Sequence, residues 1–176
     1  MKVRIFLTAI LAVCAMQARA ASDTDLDSLI KTLREQSLSE SVSIAKRLIG
    51  TPYRWGGTNA KTGFDCSGLV FYIFKQQNIT VPRVPKDMFV AMTRVPDDNL
   101  APGDVVFFNT FAKLSHVGIY IGNREFIHAP TRGKTVAIDS LDSGYYAKRY
   151  VGARRAALAN ASIDQPDYSA GLLAGL

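Results

Sequence analysis

The apolar pattern of this chain changes period once, near Ala101, and that change restricts the fold more than any other feature. Before it, apolar residues recur at helical spacing. Leu26, Leu29, Ile30 and Leu33 follow i, i+3, i+4, i+7 within residues 21–37, with Asp23 or Thr24 as a cap. Val42, Ala45, Leu48 and Ile49 share a face of a second helix at residues 40–49, stopped by Gly50 and Pro52. A strongly apolar helix is expected over residues 66–77, "CSGLVFYIFKQQ", after a Gly-rich loop at 51–65. About one further turn is expected around residues 87–92, followed by a polar loop.

After Ala101 the period is two. Residues 105–108, "VVFF", read as a buried strand entered by the Pro102-Gly103-Asp104 turn. Residues 116–121 alternate, residues 125–128 follow Gly122-Asn123-Arg124, and residues 135–138 and 150–153 are shorter strand candidates. Helices first and strands later predict an α+β domain, its helices packed on a small antiparallel sheet. At 176 residues the chain suffices for one such domain.

The N-terminus carries a different signal. A basic start (Lys2, Arg4), an apolar run over residues 5–16 and the Ala18-Arg19-Ala20 cleavage pattern lay out a secretory signal peptide. The run is shorter than the roughly 20 apolar residues that a membrane-spanning helix needs. Residues 11–14, "LAVC", offer a second route, lipidation at Cys14, although Val13 is larger than that signal prefers. Either route predicts export, and only lipidation predicts membrane attachment. Removing Lys2, Arg4 and Arg19 lowers the net charge from +6 to +3. No dense Lys/Arg run marks a nucleic-acid surface.

Cleavage after Ala20 leaves Cys66 as the only cysteine. A lone thiol in an oxidising compartment has no disulfide partner, so it reads either as a nucleophile or as a small buried hydrophobe. Its position, at the start of a helix capped by Asp65, is expected to favour the thiolate and to offer free N–H groups to an oxyanion. A nucleophile also needs a base, and the chain has only His116 and His128. With a three-residue loop at 122–124, His128 lies opposite Gly118 and both imidazoles share a face; a two-residue loop would separate them. One cysteine and two histidines also number enough ligands for a catalytic zinc, without a local metal-binding spacing.

Five segments in this order, "GTPYRWGG" (50–57), "FDCSGLV" (64–70), "APGDVVFF" (101–108), "SHVGIYIGNREFIHAP" (115–130) and "YVGARR" (150–155), resemble the NlpC-type cell-wall cysteine peptidases, a papain-like group. The resemblance implies a papain-like α+β fold with Cys66 as nucleophile, His116 as general base and His128 as the residue orienting it. It also implies that Tyr53 helps to hold the oxyanion, that Asp65 and Ser67 line the substrate cleft, and that Asp65 can receive a free amine. Neither metal nor organic cofactor is implied. The implied organisation is a signal peptide (1–20), a helical extension (21–42), the peptidase domain (43–155) and a tail (156–176), acting as a monomer. The implied activity is hydrolysis of peptidoglycan stem peptides, at the D-glutamyl–diamino acid bond or at D,D cross-links. An amidase or acyltransferase with the same centre, and a non-catalytic wall-binding module, are the alternatives. One segment departs: "VPRVPKDMF" keeps Arg83 but has Pro85 and Met88 where the group often carries Ser and Gln.

Overall fold

The computed structural model describes residues 2–157, with side chains from residue 25 onward. The side chains of residues 2–24 and everything from residue 158 onward, and with them the expected signal peptide's side chains and most of the expected C-terminal tail, lie outside the described residues. The chain divides into two compact units, residues 1–36 and residues 37–176.

Helix α1 runs without a break over Lys2–Arg47, where two separate helices were expected. The reason is compositional. Residues 2–49 contain neither Gly nor Pro, so nothing stops propagation before Gly50, whose φ of +88° turns the chain away. The candidate caps at Asp23 and Thr24 are absorbed into the helix, and hydroxyls farther along turn back onto its carbonyls. Thr32 Oγ1 donates to Ser28 O at 2.9 Å and Ser41 Oγ to Ser37 O at 3.0 Å. In the first unit Leu26, Leu29 and Leu33 are exposed. No helix among the described residues is long and apolar enough to cross a membrane.

The second unit is an α+β domain. Helix α2 (Cys66–Gln76) and the short α3 (Pro85–Ala91) precede a six-stranded antiparallel sheet. Its strands are β3 (Thr93–Val95), β4 (Val105–Phe108), β5 (His116–Gly122), β6 (Glu125–His128), β7 (Ala137–Ser140) and β8 (Tyr150–Arg155), in the order β3-β8-β4-β5-β6-β7. Two-residue strands β1 (Thr58–Asn59) and β2 (Gly63–Phe64) pair inside the expected Gly-rich loop. A single turn of helix, α4 (Gly144–Ala147), is capped by Ser143. β3 occupies part of the expected polar loop, and β7 lies two residues beyond its expected start.

Alternation along the central strands divides the core between the two faces of the sheet. Val105, Phe107, Val117, Ile119 and Ile127 pack with Leu69, Val70, Ile73 and Phe74 of α2. Val106, Phe108, Tyr120 and Phe126 pack on the other face with Leu141 and Ala153. All four residues of β4 are buried, as suits a strand covered on both sides. Asp104 is fully buried at the entrance to β4, and Arg155 neutralises it through two nitrogens, one bond measuring 2.7 Å.

The β5–β6 hairpin resolves the register question in an unforeseen way. Its loop has two residues, Asn123 and Arg124, with φ of +51° and +61°, as a type I′ turn requires. A bulge between Tyr120 and Gly122 then shifts the register, so that Ile119 faces Ile127 and Tyr120 faces Phe126. The extra residue offsets the short loop, and His116 and His128 stay on one face. Gly118 leaves the space between them: a Cβ there would stand 2.7 Å from Phe126 Cδ2 and 3.2 Å from His128 Cβ.

Candidate active site

Cys66 begins α2, and Asp65 caps the helix by accepting from the Gly68 N–H at 2.7 Å. The thiol is half-buried and opens on a cleft of about 1090 Å³ that is also lined by Tyr53, Trp55, Arg83, Ser115, His116 and Arg132. Cys66 Sγ lies 3.9 Å from the Ser115 carbonyl, at the threshold of β5. Ser115 was not singled out in the sequence, yet its Oγ accepts from the N–H groups of Thr110, Phe111 and Ala112 and donates to Ala112 O. That knot fixes the loop delivering His116.

His116 and His128 are both buried and their rings meet edge to face, Nε2 of His116 lying 2.7 Å from Nδ1 of His128. His128 Nε2 lies 2.9 Å from Asp139 Oδ2 on β7. The donor and acceptor roles in these contacts depend on the tautomers: where His128 Nε2–H donates to the Asp139 carboxylate, its Nδ1 accepts from His116 Nε2–H, and Nδ1 of His116 is left able to take a proton. Phe108, Phe126 and Tyr146 pack around the two rings. The imidazoles spend facing nitrogens on one another, which disfavours the three-ligand zinc reading.

The electrostatics differ from the sequence expectation. Burial pushes the Cys66 thiol up to about 11, and the Asp65 carboxylate adds to the rise. The N–H groups of Val117 and Ser67, and Arg83, act in the opposite direction without reversing it. Desolvation therefore outweighs the helix terminus that was expected to favour the thiolate. Burial also pushes His116 down to about 3, aided by His128, and His128 down to about 4. Both shifts favour the neutral thiol and the neutral imidazoles over a thiolate–imidazolium pair. A neutral thiol and imidazole attack a carbonyl by moving the thiol proton to imidazole as the bond forms, rather than from a preformed ion pair.

The unfolded chain titrates both histidines near 6.5, while the folded chain resists protonation to about 3 and about 4. Their contribution is complete above pH 6.5 and is lost as the pH falls towards the folded values, because the unfolded state then binds more protons. At pH 5 the expected loss is about 2 kcal/mol for each histidine. Urea unfolding at pH 7 and pH 5 measures it, and the His116→Asn, His128→Asn double variant should lose this dependence. Equal midpoints for the unmodified protein at the two pH values would contradict it.

The remaining expected residues lie on the same cleft. Asp65 is nearly buried and already heavily engaged: besides capping α2 it accepts from Gly56 N–H at 2.8 Å and from Arg83 Nη2 at 2.7 Å. Arg83 Nη1 also donates to Ser67 Oγ at 2.6 Å. An incoming amine would therefore share Asp65 with a resident guanidinium. Tyr53 is half-buried, and burial, with the charges of Cys66 and Asp65, raises its pKa while Arg132 opposes the rise. Its backbone is anchored through the N–H to Lys134 O at 2.9 Å. Pro85, a departure from the resembled pattern, occupies the first turn of α3 and lines the cleft, whereas Met88 is buried in the core.

The domain that carries this cleft has counterparts among known proteins. The NlpC/P60 family model matches residues 50–155. The chain belongs to the NlpC/P60 family. It is 40% identical over 147 residues to the murein DD-endopeptidase MepH of Escherichia coli, covering 81% of this chain and 54% of that protein. It is 40% identical over 130 residues to the gamma-DL-glutamyl hydrolase of Bacillus subtilis, covering 71% of this chain and 31% of that one. The chain thus spans about half the length of the first relative and about a third of the second. Among solved structures, an NlpC/P60 family protein from Bacillus cereus superposes with a TM-score of 0.64 at 34% identity, over 68% of this chain and 40% of that one.

Proposed function

We propose that this NlpC/P60 protein is an exported cysteine endopeptidase that hydrolyses peptide bonds of peptidoglycan, at D,D cross-links or at the D-glutamyl–diamino acid bond. The single observation carrying the reading is the contact of His116 Nε2 with His128 Nδ1 at 2.7 Å, beside a cleft that Cys66 and His116 both line. The relatives' names supply the substrate class, a murein DD-endopeptidase in one case and a gamma-DL-glutamyl hydrolase in the other. The cleft's charge agrees with it. Lys86, Lys113 and Arg132 line it, while its one acid, Asp65, is paired with Arg83, so an anionic peptide is favoured. The basic, apolar, A-x-A leader supports export.

In the proposed mechanism the Cys66 thiol passes its proton to His116 Nδ1 as Sγ bonds to the carbonyl carbon. The oxyanion is held by N–H groups at the start of α2 and by the Tyr53 hydroxyl. The Gly68 N–H is already engaged by Asp65, so the Cys66 N–H is the natural backbone donor. The imidazolium gives its proton to the departing amine as the C–N bond breaks, leaving a thioester on Cys66. His116 then takes a proton from water, whose oxygen attacks the thioester and frees the acid and the thiol. His128 holds the His116 ring throughout. Ser67 and Asp65 shape the cleft floor through Arg83.

Digestion of intact sacculi and defined muropeptides, with products resolved by mass spectrometry, tests the proposal. D,D cleavage converts cross-linked dimers into monomers, and D-glutamyl cleavage shortens the stems. Unchanged muropeptides from a folded protein would refute it, and an amide or acyl-transfer product would move the chemistry to another acceptor.

A further inference from the structure

β7 lies between the segments at residues 115–130 and 150–155 that carry the family resemblance, yet it contributes to the centre. The β6–β7 register pairs Phe126 with Asp139 and His128 with Ala137. Asp139 is therefore the diagonal same-face neighbour of His128, close enough for a carboxylate to reach an imidazole. It does so at 2.9 Å, with His128 fully buried and the Asp139 side chain 44% exposed. The bond is thus anchored at one end in the core and at the other in water, where the carboxylate keeps its charge without being desolvated on every side. Tyr146 of α4 lies edge-on to the His128 ring at 5.3 Å and nearly parallel to the His116 ring at 6.2 Å.

A neutral imidazole pair is directionally ambiguous. The Nε2···Nδ1 contact between the histidines can carry its proton on either nitrogen, and only one arrangement leaves a lone pair on His116 Nδ1. Nothing inside the pair chooses between them. An acceptor on the far nitrogen of His128 does choose, because a carboxylate cannot donate. We infer that Asp139 is a positioning residue that, through His128, holds His116 in the tautomer whose Nδ1 is free to take the Cys66 proton. The inference rests on the proposed roles of Cys66 and His116, and it adds a fourth member that touches neither thiol nor substrate.

The test compares Asp139→Ala and the isosteric Asp139→Asn. Asparagine preserves shape, but its amide presents either an acceptor or a donor, so it no longer dictates the tautomer; it also keeps the test valid if the alanine variant folds poorly. Both are expected to lower kcat about 10- to 100-fold with KM within about twofold, since the substrate is not touched. Imidazole ¹⁵N spectra give a readout independent of turnover, and with only two histidines in the chain one substitution assigns them. The unmodified protein should show Nε2–H on both rings, and the variants a mixture or reversal. A persistent single Nε2–H tautomer in Asp139→Asn, or kcat within twofold of the unmodified protein in that variant, overturns the inference. If no wall peptide is hydrolysed at all, the proposed function fails while the tautomer spectra still decide the role of Asp139.

Discussion

Replacing Cys66 by alanine is expected to lower turnover of peptidoglycan peptides by about 10,000-fold or more, with folding retained. The size follows from what is lost. Without Sγ there is no thioester, and no other cysteine remains after residue 20 to replace it. Folding is retained because Cys66 is half-buried at a helix start, and Asp65, which accepts from Gly68, still caps α2. Product formation under excess substrate, with circular dichroism and thermal unfolding alongside, measures both halves. More than about 1% residual turnover in a pure preparation would remove Cys66 from the mechanism, because covalent chemistry leaves no such remainder.

The second large effect is structural. Gly68, third in α2, allows the helix to approach the 56–57 loop so closely that a Cβ there would be driven into the Gly57 carbonyl oxygen and stand 3.0 Å from Asp65 Oδ1. Helix propensity alone favours Gly68→Ala by up to about 1 kcal/mol. Overpacking against backbone opposes it by about 2–3 kcal/mol or more, and packing should win because neither the helix start nor the loop can yield alone. The same loop supplies the Gly56 N–H to Asp65 and receives the Asp65 N–H at the Gly57 carbonyl, so the cap and the thiol would move together. The expected result is a fall in Tm of about 5 °C together with a loss of activity. An unchanged or raised Tm would show that the helix and loop separate freely.

Where the fold was legible in the sequence, the signal was periodicity together with punctuation. Asp65 before an apolar helical run announced α2 and its cap, and alternation from His116 onward announced β5. β1, β2, β3 and α4, of two to four residues each, carried neither alternation nor an apolar run and went unseen. The unbroken α1 was obscured by polar residues that resemble caps but, without Gly or Pro beside them, continue the helix. In the site, the shared face of the histidines was expected from a three-residue loop; the loop has two residues, and a bulge that leaves no mark in the sequence keeps both imidazoles on one face. The ionisation of Cys66 was not legible, since the helix terminus is readable from sequence whereas desolvation depends on everything folded around the sulfur. Asp139 carried no local mark either. It is one acid in a short strand, identifiable only once the β6–β7 pairing sets it diagonal to His128.

The bulge beside the Asn123-Arg124 turn has a consequence for how such a chain can diverge. Losing one residue between Tyr120 and Gly122 would straighten the strand and rotate everything beyond by half a pleat, sending one imidazole to the opposite layer. Adding one residue to the tip does the same unless the strand gives one back. Length changes in this exposed connection are therefore constrained by parity: paired or compensated insertions preserve the proton path, and single ones break it, although no side chain at the tip touches the chemistry.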